Sequence, residues 1–216
     1  MLIRTVVAPL LETNCHLIES DGVIWVVDPG AGAAAQVRAL VEAEGLAVAG
    51  ILLTHGHLDH SWDAAELAER YGVAVHVHAA DAYRLADPVG SLGPVGAQVA
   101  RMGGAPAGPA RPGDVRPFAD DGPAGAPVRV LHAPGHTEGS TVYLLEASVG
   151  PVALTGDVLF AGSVGRTDFP GSDPDAMVAS LRRLAALDPV TRVLPGHGPA
   201  STIGSELARN PYLRGL

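Results

Sequence analysis

A single cysteine, Cys15, stands among 216 residues, so no disulfide can form within the chain, and a reducing compartment is compatible with that count. No run approaches the ~20 apolar residues of a membrane span. The stretch from Met1 to Pro9 carries one Arg and a few apolar residues but no long apolar segment with a cleavage signal, so the cytoplasm is the expected compartment. Charge is sparse as well: 17% of residues are charged, their formal sum is −9, and no Lys/Arg run builds a basic patch. Such a chain repels phosphate backbones and anionic lipid. Nucleic acid and membrane are thereby excluded as expected partners, and a small-molecule substrate is left; oligomeric state is not legible.

Apolar residues make up 47% of the chain, enough for a sizeable core, and the length fits one domain over residues 1–216. Leu17 to Ile18 and Val23 to Val27 read as strands around the hairpin signal Asp21-Gly22. From Ala33 the period changes to helical, with Val37, Leu40 and Val41 on one face and Gly45 as the stop. Ile51 to Leu53 reads as a buried strand, and Ala64, Leu67, Ala68 and Tyr71 recur at helical spacing. Val73 to His78 is a further strand, whereas Asp87 to Pro127, crowded with Gly and Pro, reads as mostly loop and a candidate cover for a site. Strands at Val128 to Leu131, Thr141 to Leu145 and Val152 to Leu154 follow. Asp173-Pro174 then opens a helix with Met177, Leu181, Leu184 and Ala185 on its face. Val193-Leu194 is a last strand and Ser201 to Arg209 a final helical segment. Strands thus fall in two groups, each with helices. Arg129-Val130-Leu131 running into Pro134-Gly135-His136 echoes Arg192-Val193-Leu194 running into Pro195-Gly196-His197, which suggests two related halves.

The densest polar cluster is Thr54-His55-Gly56-His57-Leu58-Asp59-His60, directly after the buried strand. Four metal-ligand side chains within six residues at that place are expensive without an ion. Alternate residues of an extended loop project the same way, so His55 and His57 can grip one ion, while Asp59 and His60 at a helix entrance can turn toward a second. Gly56 is expected to let the backbone turn between them. A solvated loop with Asp59 as a helix N-cap is the alternative.

This cluster, His-x-His-x-Asp-His, resembles the signature of the metallo-β-lactamase superfamily. The resemblance continues through Pro134-Gly135-His136-Thr137, Thr155-Gly156-Asp157 and Pro195-Gly196-His197-Gly198-Pro199, in the family's order. It implies an α/β fold, the four-layer αββα sandwich, and a two-ion site. One ion takes His55, His57 and His136, the other takes Asp59, His60 and His197, and Asp157 bridges them. Asp59 and Asp157 are also the carboxylates assigned to catalysis. Imidazole and carboxylate donors suit zinc, the preferred cation, and accept iron or manganese. Two ions ~3.5–4 Å apart can share a hydroxide, because a metal lowers the pKa of its water from ~15.7 to ~7.

Gly156-Asp157-Val158-Leu159-Phe160 and Gly165-Arg166-Thr167-Asp168-Phe169 look like glyoxalase II (hydroxyacylglutathione hydrolase) and its short bacterial relatives, which implies cleavage of acyl thioesters such as S-lactoylglutathione. The chain ends soon after His197, without the helical extension that carries much of the glutathione site in full-length members. The Arg166 segment also looks like persulfide dioxygenases of the same superfamily, which implies one iron on His55, His136 and Asp157. A lactonase or β-lactamase, and a non-catalytic metal-binding protein, are further readings. Arg166 and Asp168 are either substrate contacts or a charge pair holding their loop. His76, His78 and His132 are expected to be structural, and Cys15 a small core residue.

Overall fold

A computed structural model describes residues 1–105 and 107–216; Pro106, inside the stretch read as loop, lies outside the described residues. The first half of the chain forms a six-stranded sheet in spatial order β1 to β6. Its strands are β1 (Leu2–Val7), β2 (Asn14–Ser20), β3 (Val23–Val27), β4 (Ala47–Leu52), β5 (Val75–His78) and β6 (Val115–Phe118). Helices α1 (Ala33–Glu44), α2 (Leu58–Ser61), α3 (Ala64–Tyr71), α4 (Ala82–Ala86) and α5 (Pro94–Met102) are interspersed among these strands. The second half supplies β7 (Arg129–His132), β8 (Thr141–Ala147), β9 (Gly150–Gly156) and the short hairpin β10 (Leu159–Phe160) and β11 (Ser163–Val164). It continues with α6 (Pro174–Ala185), β12 (Arg192–Pro195), β13 (Ser201–Thr202) and α7 (Ile203–Arg209). Its main sheet runs β13-β12-β9-β8-β7.

The period of two explains the layers. In β2 to β4, Leu17, Ile24, Val26 and Ile51 face α1 and α3, where Val37, Val41 and Leu67 meet them. Their neighbours Ile18, Trp25, Val27 and Leu52 point the other way, into a core shared with Tyr143, Leu145, Val152, Leu154 and Leu194 of the second sheet. The second sheet's outer residues, Val142, Leu144, Ala153 and Val193, pack on Met177, Leu181 and Leu184 of α6 and Ile203 of α7. Both faces of both sheets are therefore apolar, and the result is the four-layer αββα sandwich.

Local signals hold at several boundaries. Asp21-Gly22 joins β2 to β3, Gly45 closes α1 in a left-handed conformation, and the Asp173 side chain accepts from the backbone N–H groups of Asp175 and Ala176 at 2.9 and 3.0 Å. Three expectations need correction. The stretch from Asp87 to Pro127 contains α5 and β6; Leu92 and Val99 pack on Leu58, with Val95 and Phe169 against them, and this apolar face outweighs the Gly and Pro content. Gly96 is part of that packing, since a Cβ there would lie 2.1 Å from the Val89 carbonyl oxygen. β1, which the sequence did not announce, pairs antiparallel with β2 along the edge of the first sheet. Finally, the two echoing segments, β7 and β12, lie in one sheet rather than in two halves, so their likeness reflects a shared strand-to-turn construction.

Candidate metal centre

Strand direction brings the donors together. β12 is parallel to β9, while β7 and β9 are each antiparallel to β8, so β7, β9 and β12 all end at the same edge of their sheet. His136, Asp157 and His197 follow those three ends, and His55 to His60 follow β4 in the facing sheet. The sheets are tied there: the Thr141 N–H donates to the Thr54 carbonyl at 2.8 Å, and the Tyr143 hydroxyl to the Leu53 carbonyl at 2.8 Å. All seven expected ligands converge, and three-donor groups form from His55, His57 and His136, from His55, His60 and Asp157, and from Asp59, His60 and His197. His57 occupies the N-terminal boundary of the single-turn α2, so Asp59 sits in its first turn instead of capping it. Gly56 has no left-handed φ; it is glycine because a Cβ would press on Arg84 and the Asp81 carbonyl.

Hydrogen-bond partners on the outer side of each ring fix which nitrogen faces inward. His136 Nδ1 donates to the Arg166 carbonyl at 2.8 Å and His197 Nδ1 to the Leu11 carbonyl at 3.0 Å, since a carbonyl only accepts. His60 Nδ1 donates to the Asp28 carboxylate at 3.0 Å. Thr54 Oγ1 gives its proton to Asp28 at 2.6 Å and so accepts from His55 Nδ1 at 3.1 Å. The Nε2 atoms of His55, His60, His136 and His197 are therefore turned inward, and each offers a lone pair wherever its ring is neutral. His60 Nε2 and His197 Nε2 lie 3.2 Å apart. His57 Nδ1 lies 3.1 Å from His55 Nε2 and 3.0 Å from His136 Nε2, where one proton at most is available for two contacts. Asp157 Oδ1 and His57 Nε2 are buried without a hydrogen-bond partner. Ring nitrogens facing one another, with outer atoms bonded to carbonyl and carboxylate, are what cations between the rings require. The donor set fits divalent metal.

Electrostatics divide the donors. Burial, and then the neighbouring histidines, hold His55 and His57 well below the ordinary imidazole range, so both are neutral. Burial pushes the Asp59 carboxyl up, but His60 and His197 outweigh it and bring it to about 2. Asp157 is likewise lowered, His60 overcoming the effect of burial. His60 is raised well above its usual value because Asp157, Asp59 and Asp28 outweigh its burial, and His197 is raised by Asp59 and Asp157 against the same opposition. Gly196 lets the last turn pass close, since a Cβ would meet Asp157 Oδ1 and His60.

The donors open into a cleft of about 630 Å³ bordered by His57, Asp59, Phe160, Arg166 and Phe169, with α5 on one side. Arg166 and Asp168 form a two-pronged ion pair at 2.6 Å per bond, and the guanidinium stacks on Phe169 at 4.0 Å. The pair lies within the loop after Asp157, and Arg166 also borders the cleft. The remaining singled-out side chains have structural partners. His76 packs on Trp25, and His78 stacks on His132 with centroids 4.0 Å apart. His132 Nε2 donates to the Glu138 carbonyl, and His78 Nδ1 accepts from Ala80 N–H. With Asp120 these two rings form a further donor group, but near-parallel rings cannot aim their in-plane lone pairs at one ion. Cys15 is fully buried, and burial pushes its thiol well above the usual range.

Sequence reasoning missed the residues that aim the ligands. Asp28, at φ 53°, accepts from Thr54 N–H at 2.8 Å as well as from Thr54 Oγ1 and His60. Its signal was present: Val27-Asp28-Pro29-Gly30 places a carboxylate after an apolar strand and before a Pro-Gly turn. Asp81, fully buried, accepts from Gly56 N–H, Thr137 Oγ1 and Gly139 N–H and pairs with the fully buried Arg84, joining both ligand loops to α4. Nothing in its sequence neighbourhood marks it. Asn14 donates to the carbonyls of Pro195 and Gly198, fixing the His197 turn.

Residues 8–197 match the family model of the metallo-beta-lactamase superfamily. The chain belongs to that superfamily, whose members are generally metal-dependent hydrolases. A hydroxyacylglutathione hydrolase, GloC of Haemophilus influenzae, is 33% identical over 219 residues, covering 99% of this chain and 98% of the relative. Among solved structures, TTHA1623 in a di-iron-bound form is similar at 36% identity and a TM-score of 0.83, with 97% of this chain and 100% of that one covered. The B3 metallo-beta-lactamase BLEG-1 is similar at 31% identity and a TM-score of 0.85, with 99% and 100% covered. No helix among the described residues is long and apolar enough to cross a membrane.

Proposed function

We propose that this chain is a two-cation hydrolase of acyl thioesters. The observation that carries the reading is the inward convergence of imidazole nitrogens from both donor sets, His55, His57 and His136 on one side and His60 and His197 with Asp59 on the other, around Asp157. In this assignment Asp157 is shared, its two oxygens lying 3.3 Å from His60 Nε2 and 3.7 Å from His136 Nε2. Two divalent cations, zinc first and iron or manganese also compatible with these donors, supply Lewis-acid polarisation of a carbonyl and an acidified water. Asp28, Thr54, Leu11 and Arg166 bond the Nδ1 side of these rings, so Nε2 is the nitrogen turned toward a cation. Asp59 borders the cleft as an anion, a charge suited to holding a cation beside the reacting carbonyl.

The full-length similarity to a hydroxyacylglutathione hydrolase supports a thioester over an amide or lactone. Under a one-iron oxygenase reading, Asp59 and His197, 3.4 Å apart, are left without a task. The similarity to a B3 metallo-beta-lactamase makes a β-lactam the second substrate to try. The test is release of free thiol from S-lactoylglutathione by metal-loaded protein under argon. Thiol release without oxygen supports the reading, and cleavage of a β-lactam with no thioester turnover contradicts it.

A further inference from the structure

The cleft offers a substrate an apolar wall and few cationic side chains. Leu92, Val95, Val99 and Met102 line one side together with the exposed Gln98, and Phe169 borders the cleft against His57. Leu92 and Val99 are anchored on Leu58, and the backbone of Gly103 lies so close to Trp62 that a Cβ would meet its ring at 2.2 Å. The wall is thus built into the fold. Met102, which also lines the cleft, is 56% exposed, a large apolar side chain open to solvent. The chain has no lysine, and among the described residues Arg166 is the one guanidinium that lines the cleft. Its Nε and Nη2 are both taken by Asp168. A glutathionyl carrier brings two carboxylates that need cationic partners, whereas an apolar acyl chain needs only surface to cover it.

Resting on the thioester reading above, we propose that the site selects its substrate by the acyl group: an unbranched apolar chain longer than acetyl, laid along Leu92, Val95, Val99 and Met102. The thiol carrier, left toward the mouth, is read weakly. In the reaction, water oxygen bonds to the carbonyl carbon and the carbon–sulfur bond breaks. The carboxylic acid leaves with the apolar chain, and the thiol sulfur takes the proton.

The experiment compares acetyl, butanoyl and hexanoyl thioesters of N-acetylcysteamine, and hexanoyl glutathione, on the metal-loaded protein, with acetate and hexanoate binding measured separately by calorimetry. Expected is a rise in kcat/KM of about two- to fourfold per added methylene, tighter binding of hexanoate than acetate, and similar values for the two hexanoyl carriers. In Val95→Asp and Met102→Glu the hexanoyl preference collapses, chiefly through KM. Met102 is exposed, so its variant reports on the wall even where Val95→Asp fails to fold. A flat or falling dependence on chain length, or a tenfold preference for the glutathione carrier, overturns this inference and leaves the thioester reading standing. If the wild type cleaves no thioester of any length, the thioester reading itself falls, and this inference with it.

Discussion

Asp28 accepts the Nδ1 proton of His60 at 3.0 Å, with both side chains buried and the same carboxylate held by Thr54 N–H and Oγ1. That bond fixes the ring so that Nε2 faces His197, Asp157 and Asp59. Replacing the carboxylate by an amide leaves the size unchanged but removes the charge and one acceptor. Asp28→Asn is therefore expected to weaken metal at the Asp59, His60 and His197 set by about 10- to 100-fold. The set of His55, His57 and His136 is expected to be less affected. Competition with a chromogenic chelator measures both affinities, and an equal loss at both sets contradicts the assignment.

Asp157→Ala removes the one donor assigned to both sets and leaves two positive charges less compensated. Both ions are expected to be lost or weakened together. His76→Ala and His78→Ala are expected to keep the full metal content, because Trp25 and His132 are their partners. Elemental analysis of the three purified variants checks this, and loss of an ion from either folded histidine variant counts against the ligand set.

The fold was legible where the local signal agreed with the tertiary outcome. Asp21-Gly22, Gly45 and Asp173-Pro174 stand at element ends because turn and cap chemistry is local. α5 was hidden because its apolar face is short and its glycine at 96 serves close packing on Val89, which no local rule reports. The seven donors were legible because each follows an apolar strand in a recognisable motif. Asp28, Asp81 and Asn14 were not read because their task depends on segments far away in sequence: Asn14 reaches Pro195, and Asp81 reaches Thr137.

Asp81 is the structural counterpart of Asp28. With its carboxylate removed, Arg84 loses a fully buried partner, and the N–H groups of Gly56 and Gly139 lose their acceptor. Asp81→Ala is expected to lower unfolding stability by about 3–5 kcal/mol, the range for breaking a buried charge pair. Urea unfolding followed by circular dichroism gives the difference, and a loss below about 1 kcal/mol contradicts this role.

His16 supplies the pH dependence that can be isolated. Burial is the largest influence and holds its imidazole below the usual value, although the Pro195 carbonyl and Asp28 oppose it. The unfolded chain therefore binds a proton that the folded one refuses. Stability from this group is present above the unfolded pKa of ~6.5 and is lost as pH falls below it. His16→Gln removes the titrating group. The wild type is expected to lose more stability than this variant between neutral and mildly acidic pH, and parallel curves contradict the claim.

The account rests on two donor sets acting together, and metal counting with and without His197 tests that most directly. Wild-type protein loaded with excess zinc or ferrous iron is expected to retain two ions per chain. His197→Ala is expected to retain about one, through His55, His57 and His136, and to lose thioester cleavage under argon. A wild-type protein that holds a single iron under the same loading, and turns over a persulfide with oxygen as well after His197→Ala as before it, contradicts the account.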